Sequence, residues 1–281
     1  MKNVLITGAN SYIGQAVRDH LTAAGHAVTV MDMIGDGWRE ADFSPFDSVF
    51  HVAGIAHEMG RKRDASLYYR VNRDLAIETA KKANDSGVGQ FVFVSSMSIY
   101  DGCKDRTITA RTPPAVRGCY GDSKLQADLA LQDMNSDAFR VAVLRPPMIF
   151  GRGCKGNFPR LVNLARKAPV FPSIKNRRSM LFVGNLCEFV KLVIENRSSG
   201  VFFPQNSDYY CTTELAQALA RLHGRNLKTT RLFNGLVRLA GPFTPSLRKL
   251  FGDLIYEKEM SDHFEGRYRV ADNRKSLEES V

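Results

Sequence analysis

Val4-Leu5-Ile6-Thr7-Gly8-Ala9-Asn10-Ser11-Tyr12-Ile13-Gly14 decides how this chain of 281 residues is read. Val4-Leu5-Ile6 is a short, wholly apolar run, the pattern of a parallel strand buried on both faces. A glycine-bearing turn follows at once. Gln15 to Ala24 then has helical periodicity and stops at Gly25. Ala27-Val28-Thr29-Val30-Met31 is a second strand, and it runs into Asp32. Strand, tight turn, helix, strand and a terminal acid is the layout of a dinucleotide-binding βαβ unit. Gly8 permits the turn, and Gly14 lets helix and strand approach closely. The helix N-terminus offers free N–H groups and partial positive charge to a pyrophosphate. Asp32 accepts hydrogen bonds from the adenosine ribose hydroxyls and repels a 2′-phosphate, which favours NAD over NADP. Ser11 stands where the usual pattern has its middle glycine.

Working outward, about fifteen residues separate Asp32 from the apolar run Ser48 to Gly54, too few for a full helix and a strand. The expectation is a strand near Arg39 to Phe43 with its crossover helix missing or reduced, and Asp42 and Phe43 beside the adenine. Tyr68 to Asn84 reads as a helix with Val71, Leu75, Ile77 and Ala80 on its inner side. Phe91 to Val94 is a buried strand that runs into Ser95-Ser96-Met97-Ser98-Ile99-Tyr100. Ligands of open α/β sheets lie beyond such carboxyl ends. Residues 101–118 read as loop. The amphipathic run from Cys119 to about Met134 follows, then the strand Val141 to Leu144, ending in Arg145-Pro146-Pro147. From Gly151 the composition changes, with Gly153, Gly156, Pro159, Pro169 and Pro172 breaking the pattern. Phe158 to Lys167, Leu186 to Asn196 and Thr213 to Leu222 read as helices, Met180 to Val183 as a strand, and Phe202 to Tyr210 as strand and turn. Residues 234–281 read as irregular.

Composition narrows the class. Hydrophobic residues make up 44% and charged residues 24% of the chain, the balance of a soluble globular protein. No apolar run reaches the eighteen or so residues of a membrane span. The first residues are too short and strand-like for a signal peptide. Five cysteines without CxxC spacing argue against a disulfide framework or a zinc site, and a cytoplasmic location fits. His57-Glu58 lacks a second histidine at metal spacing, so no metal is expected. The net charge of +10 raises nucleic acid or an anionic membrane as partners. The densest groups are Arg61-Lys62-Arg63, read as a solvated loop able to close over a substrate, and Lys175-Asn176-Arg177-Arg178. Neither is interleaved with aromatics as a single-strand binder needs, so no specific nucleic acid is expected. Leu236 to Leu254, with Arg238, Arg248 and Lys249, is broken by Gly241, Pro242 and Pro245, so core packing is preferred to a membrane surface.

Chemistry points to Tyr120 and Lys124. Four residues apart on a helix, they share a face. A free phenol, with a pKa of roughly 10, is a poor base at neutral pH. An ammonium a few ångströms away favours the phenolate, and bringing the pKa to about 7 takes roughly 4 kcal/mol. Such a pair takes a proton from, or gives one to, an alcohol or carbonyl oxygen. A surface pair has the same spacing, and Ser95, Ser96 and Ser98 are also what caps a strand end.

Taken together, Thr7-Gly8…Gly14, Asp32, His51-Val52-Ala53-Gly54, Val71-Asn72, Ser95-Ser96…Tyr100, Tyr120…Lys124, Leu144-Arg145-Pro146-Pro147 and Arg178-Ser179-Met180…Asn185-Leu186 resemble an extended short-chain dehydrogenase/reductase, the NAD-dependent nucleotide-sugar epimerase/dehydratase family. The order and spacing hold over roughly residues 1–220. The chain is most similar to bacterial surface-polysaccharide members of UDP-glucose 4-epimerase type. The resemblance implies an α/β fold: a Rossmann-type doubly wound parallel sheet over residues 1–150, to which part of 178–204 returns, and a smaller substrate-binding domain over 151–281. It implies NAD lined by Gly8, Ser11, Tyr12, Ile13, Gly14, Asp32, Asp42, Phe43, Ala53, Gly54, Asn72, Ser95 and Pro147, with Tyr120 and Lys124. Ser96 hydrogen-bonds the sugar's reacting oxygen, Tyr120 is the acid/base and Lys124 binds the nicotinamide ribose. Ser98 and Asn157 contact substrate, and Arg178 grips its diphosphate, for which a guanidinium fork is suited. The family often has an acid where Asn185 stands. Its dehydratases place an Asp-Glu pair where Met97 and Ser98 stand, so water loss is disfavoured.

The resemblance thus implies a 4-epimerase acting on a UDP-hexose or UDP-N-acetylhexosamine through a 4-keto intermediate, and a homodimer through the Tyr68 and Tyr120 helices. The same residues serve a reductase that uses external NAD(P)H on a UDP-4-keto-6-deoxy-hexosamine. A non-catalytic NAD-binding protein is the third reading; such proteins commonly lose the tyrosine or the lysine, and both are present here.

Overall fold

The structure, a computed structural model, describes residues 1–56, 65–232, 234, 235, 239 and 244–281, with only the backbone of 245, 246 and 248. His57-Glu58, Arg61-Lys62-Arg63, most of the stretch from Leu236 to Pro242, and the Arg248 side chain lie outside it.

The first strand, β1 (Asn3–Thr7), leads through the glycine turn into α1 (Tyr12–Ala23) and β2 (Ala27–Met31). The strand expected at 39–43 is absent. A single helical turn, α2 (Gly37–Glu40), stands there, and the chain passes on to β3 (Ser48–His51). The segment is held by burial rather than by pairing: Trp38 and Phe43 pack with Leu5 and Val49, and the Arg39 guanidinium lies 4.5 Å from the Trp38 ring.

The helix expected at 68–84 is interrupted. It runs as α3 (Ala65–Tyr69), a π-helical turn (Arg70–Asp74) and α4 (Leu75–Asp85). The π turn rotates Asn72 inward, and the buried face is Asn72, Ala76, Thr79, Ala80 and Ala83. Val71, Leu75 and Ile77 are only half-buried, contrary to the pattern read from the sequence. A wider turn breaks the 3.6 period on which that reading rests.

The chain continues through β4 (Gln90–Val94), β5 (Thr107–Ile108), α5 (Cys119–Gln132), β6 (Arg140–Leu144), β7 (Met148–Phe150), α6 (Asn157–Lys167), β8 (Val170–Pro172), β9 (Met180–Phe182), α7 (Val183–Glu195), β10 (Gly200–Phe202) and α8 (Thr212–Leu222). The central sheet has six parallel strands in the order β10-β6-β4-β3-β1-β2. One face packs Val17 and Leu21 of α1 against Leu186, Phe189 and Val193 of α7; the other takes α4 and α5. The fold is a Rossmann-type doubly wound α/β sheet.

A second core gathers Phe150, Phe158, Leu161, Phe171, Met180, Tyr210, Leu215 and Leu219. It is framed by two-stranded parallel pairs, β7 with β9, and β8 with β11 (Lys228–Thr230). The described residues of 234–281 are more ordered than their sequence reads. They hold α9 (Pro245–Phe251), β12 (Ile255–Tyr256), which pairs with β5 inside the expected loop 101–118, and α10 (Asn273–Glu278). Among the described residues no helix is long and apolar enough to cross a membrane.

Candidate active site

The strand order reverses at β1, whose neighbours are β2 and β3, so a crevice opens beyond the carboxyl ends of β1 and β3. Gly8 takes φ +90°, and a Cβ there would fall 2.9 Å from the Ala53 nitrogen. Only glycine lets the β1 turn pass this close to the end of β3. The Ser11 hydroxyl accepts the Gly14 N–H at 2.9 Å and the Ser11 carbonyl accepts that of Gln15 at 3.0 Å. The N–H groups of Tyr12 and Ile13 have no acceptor within the helix. Asp32 is exposed at the end of β2 and takes the Ile34 N–H at 3.0 Å; the Asp42 carboxylate folds back on Ser44. Gly54 is held bare because a Cβ would meet the Asn72 side-chain oxygen at 2.9 Å and Lys124 Nζ at 3.3 Å. A naked turn at a helix N-terminus, an acid at one end and a buried lysine at the other fit a dinucleotide.

Several residues expected to line that cleft act from behind it. The Tyr12 ring joins the second core, its buried hydroxyl having no partner. The Phe43 ring is wholly in the first core, which leaves only its backbone for a ligand. The Asn72 amide is used up: it accepts from Ile55 N and donates to Ile55 O and Ser123 Oγ, clamping the β3 loop to α5. Ser95 gives its hydroxyl to Asp128 at 2.7 Å. Pro147 is buried just beyond β6.

The proton-handling cluster is assembled by the end of β4 and the first turns of α5. Ser96 caps a short 3₁₀ turn (Met97–Tyr100), accepting the Ser98 N–H at 3.1 Å and the Ser98 hydroxyl at 2.8 Å. The Tyr120 phenol is hydrogen-bonded to both serines. Burial pushes it above the ordinary phenol range, and the two serine hydroxyls pull the other way. The lowering expected from Lys124 is not what this state shows. The Lys124 ammonium instead donates to the Val94 carbonyl at 2.9 Å and lies 4.8 Å from the centre of the Phe93 ring. Burial holds it down to about 8, with Asp128 pulling upward. Behind it, His51 Nδ1 and Thr7 Oγ1 are 2.9 Å apart, and burial keeps that imidazole neutral.

At the other end of the cleft, Arg178 and Asn157 line one cavity with Met148, Leu161 and Tyr210. Arg178 is fixed by its backbone, which bridges Tyr210 on one side and Leu254 on the other. Its guanidinium donates to the Gly252 carbonyl at 2.9 Å, while Nε is buried with no partner. Burial holds the Arg178 guanidinium below its ordinary range, against the pull of the nearby Asp101 and Asp253 charges, and Asp101 adds a lesser push to the Tyr120 phenol. Asp101 also lies 3.7 Å from Lys249.

Sequence reasoning missed the support under this site. Asp128, wholly buried, takes a two-pronged hydrogen bond from Arg145 at 2.8 and 2.9 Å, besides that from Ser95. Arg145 also donates to the Tyr100 hydroxyl, and its carbonyl accepts from Tyr256 of β12 at 2.9 Å. A signal was available: Asp128 is four residues beyond Lys124, on the same helical face. Asn185 is likewise structural. Its amide donates to the Ala271 carbonyl and accepts the Ala271 N–H, both at 2.9 Å. An acid could only accept there, so an amide suits this position.

A family described as the NAD dependent epimerase/dehydratase family matches residues 4–203. A UDP-glucose 4-epimerase of Vibrio cholerae is 29% identical over 96% of this chain and 87% of its own length. An N-acetyl-α-D-glucosaminyl-diphospho-ditrans,octacis-undecaprenol 4-epimerase of Escherichia coli O157:H7 is 27% identical over 70% of this chain and 65% of its own. In fold, the chain is similar to a dTDP-4-dehydrorhamnose reductase of Clostridium acetobutylicum, with a TM-score of 0.77 at 19% identity, covering 99% of this chain and 98% of that one. The cleft, its glycines and the family match agree: this chain belongs to the NAD-dependent epimerase/dehydratase family, and NAD is its cofactor.

Proposed function

We propose that the chain interconverts the C4 epimers of a sugar held by a nucleoside diphosphate, a UDP-hexose or UDP-N-acetylhexosamine. The observation that carries this is the Ser96–Ser98–Tyr120 cluster at the end of β4, together with the buried, unpartnered Nε of Arg178. Arg178, with its unpartnered Nε, and Asn157 hold the diphosphate and the parts next to it. Ser96 and Ser98 orient the C4 oxygen. Tyr120 takes the hydroxyl proton as the 4-keto sugar forms and returns it when the alcohol is restored. NAD, which the turn of Gly8, Ser11 and Gly14 would hold, would supply a hydride acceptor and donor for C4. Lys124 swings from the Val94 carbonyl toward the cofactor ribose and there favours the phenolate. The Vibrio cholerae and Escherichia coli relatives are each named as a 4-epimerase of a sugar on a diphosphate, which supports this substrate class. Met97 and Ser98 supply no acid pair, so water is not lost. A homodimer through α3–α4 and α5 is part of this reading; Leu129 of α5 is 51% exposed.

Tyr120→Phe tests it. The folded variant should lose activity by about 10²- to 10⁴-fold, the usual worth of a positioned acid/base. Full turnover with an unchanged melting curve removes the mechanism. The second reading, a reductase of a 4-keto-6-deoxy sugar nucleotide, is favoured by the fold likeness to the dehydrorhamnose reductase. It requires stoichiometric NADH or NADPH, whereas an epimerase turns over on the cofactor it carries.

A further inference from the structure

The charge of this chain is divided by region. Residues 138–252 carry 19 Lys and Arg against four Asp and Glu, a net +15, and all other residues carry 20 against 25, a net −5. No acid occurs between Asp137 and Glu188 or between Glu214 and Asp253. The two acid-free stretches fold together, since α6 packs on α8 and β8 pairs with β11.

Their exposed cations fall on one rim. The Arg225 guanidinium donates to the carbonyls of Ala165, Arg166 and Ala168, and its N–H to Ala220 O, which draws the carboxyl ends of α6 and α8 together. This brings Arg166 and Lys167 beside Arg221. The β8–β11 register sets Lys228 opposite Val170, and Arg231 follows one residue beyond β11. Helix C-termini by themselves favour cations, which accounts for three of these five. It does not account for Lys228 and Arg231 on a strand and its end, nor for the apolar residues set among them. Leu164, Val170 and Leu222 are 42%, 36% and 41% exposed, and Leu232 is 88% exposed. The four acids of the segment lie elsewhere: Glu188 and Glu195 on α7 face His20 and His26, Asp208 faces Lys258, and Glu214 is at the far end of α8.

We propose that this rim docks the protein on an anionic lipid bilayer. Cations interspersed with protruding leucines match a surface of negative headgroups over acyl chains. A nucleic acid asks for stacking partners, and among the described residues no large aromatic side chain is exposed. The Arg178 cavity lies at the opposite ends of the same two helices, beside Asn157 and Thr212, so the rim is a separate feature. The inference rests on charge and exposure and stands apart from the epimerase reading.

The test is sedimentation of the full chain with vesicles of phosphatidylcholine alone, or with equal parts of phosphatidylglycerol. Binding should require the anionic lipid and weaken with salt. Combining Arg166→Gln, Lys167→Gln and Lys228→Gln should weaken it about 100-fold, each cation near such a surface being worth about fivefold. Arg18→Gln, Lys81→Gln and Arg111→Gln, an equal loss of charge on exposed residues elsewhere, should leave it within a few-fold. Leu222→Ser with Leu232→Ser should remove the binding that survives high salt. Melting curves check that each variant folds. Equal losses from the two triple variants, no preference for anionic vesicles, or binding of single-stranded RNA with vesicles ignored would each overturn the proposal.

Discussion

Two regions of this molecule are built by different rules. Up to Leu144 the chain, apart from β5, makes strands of four or five residues paired in one sheet, buried on both faces except at the edge strand β2. Beyond it, apart from β10 at the sheet edge, the chain makes strands of two or three residues, each paired with a distant segment: Met148 with Met180, Val170 with Lys228, Thr107 with Ile255. The first region is held mainly by apolar layers. The second adds polar staples, in which side-chain amides take the place of a sheet ladder. Asn185 joins Ala271, and Asn176 joins Thr212, Leu250 and Gly252. Hydrophobic burial is non-directional and tolerates variation; a staple depends on each donor and acceptor being met.

The strongest way to break this division is at its seam. Asp128 belongs to the sheet region, but through Arg145 it reaches Tyr100 and, by the Arg145 carbonyl, Tyr256. Asp128→Ala leaves a buried guanidinium without its counter-charge. It should cost about 3–5 kcal/mol in a denaturant titration. It should also loosen both regions together in hydrogen exchange. Loss confined to one region would mean that the two are not joined there.

Asn185→Asp sharpens the comparison within the second region. The acid keeps an acceptor for the Ala271 N–H and loses the donor to the Ala271 carbonyl and to the Asn206 side-chain oxygen. The expected cost is about 1–3 kcal/mol, the price of an unmet buried partner. Hydrogen exchange should rise over residues 268–281 while β1, β3 and β4 stay protected. A uniform rise would place Asn185 in the common core instead.

The smallest effect lies in the sheet region. Burial and the nearby Lys124 charge hold the His51 imidazole down to about 3. The unfolded ring takes up a proton below about 6.5, whereas the folded one stays neutral. Stability is therefore complete above that pH and is lost as pH falls toward 3, by about 1.4 kcal/mol for each pH unit well below 6.5. His51→Asn, which keeps a polar partner for Thr7 and cannot titrate, should flatten the difference between urea midpoints at pH 7 and pH 5. An unchanged difference would assign the acid sensitivity to other groups.

The same division explains what could be read without coordinates. The βαβ unit was legible because a strand buried on both faces is a continuous apolar run and because Gly8 and Gly14 punctuate it. Tyr120 and Lys124 were legible as a pair because they stand four apart on a helix, and Ser95-Ser96 as a sheet end because they follow an apolar run; their roles came from the family resemblance. Three things were not. The strand expected at 39–43 failed because Trp38 and Phe43 satisfy the core without pairing. The inner face of α4 was misread because a π turn at Arg70–Asp74 shifts the phase. Residues 234–281 read as irregular because a two-residue strand such as Ile255–Tyr256 carries no period. The clusters of basic residues looked scattered along the chain; their concentration appears only when the segments that fold together are counted together.

The central claim is that Tyr120 and a bound nicotinamide exchange a proton and a hydride with C4 of a diphosphate-linked sugar. The most direct measurement uses UDP-hexoses and UDP-N-acetylhexosamines deuterated at C4, incubated with the purified chain and no added nicotinamide nucleotide. We predict that both C4 epimers appear, that the deuterium stays on C4 in each, and that Tyr120→Phe stops the exchange. Conversion that occurs only with stoichiometric NADH or NADPH, or that loses the label to solvent, would contradict the account.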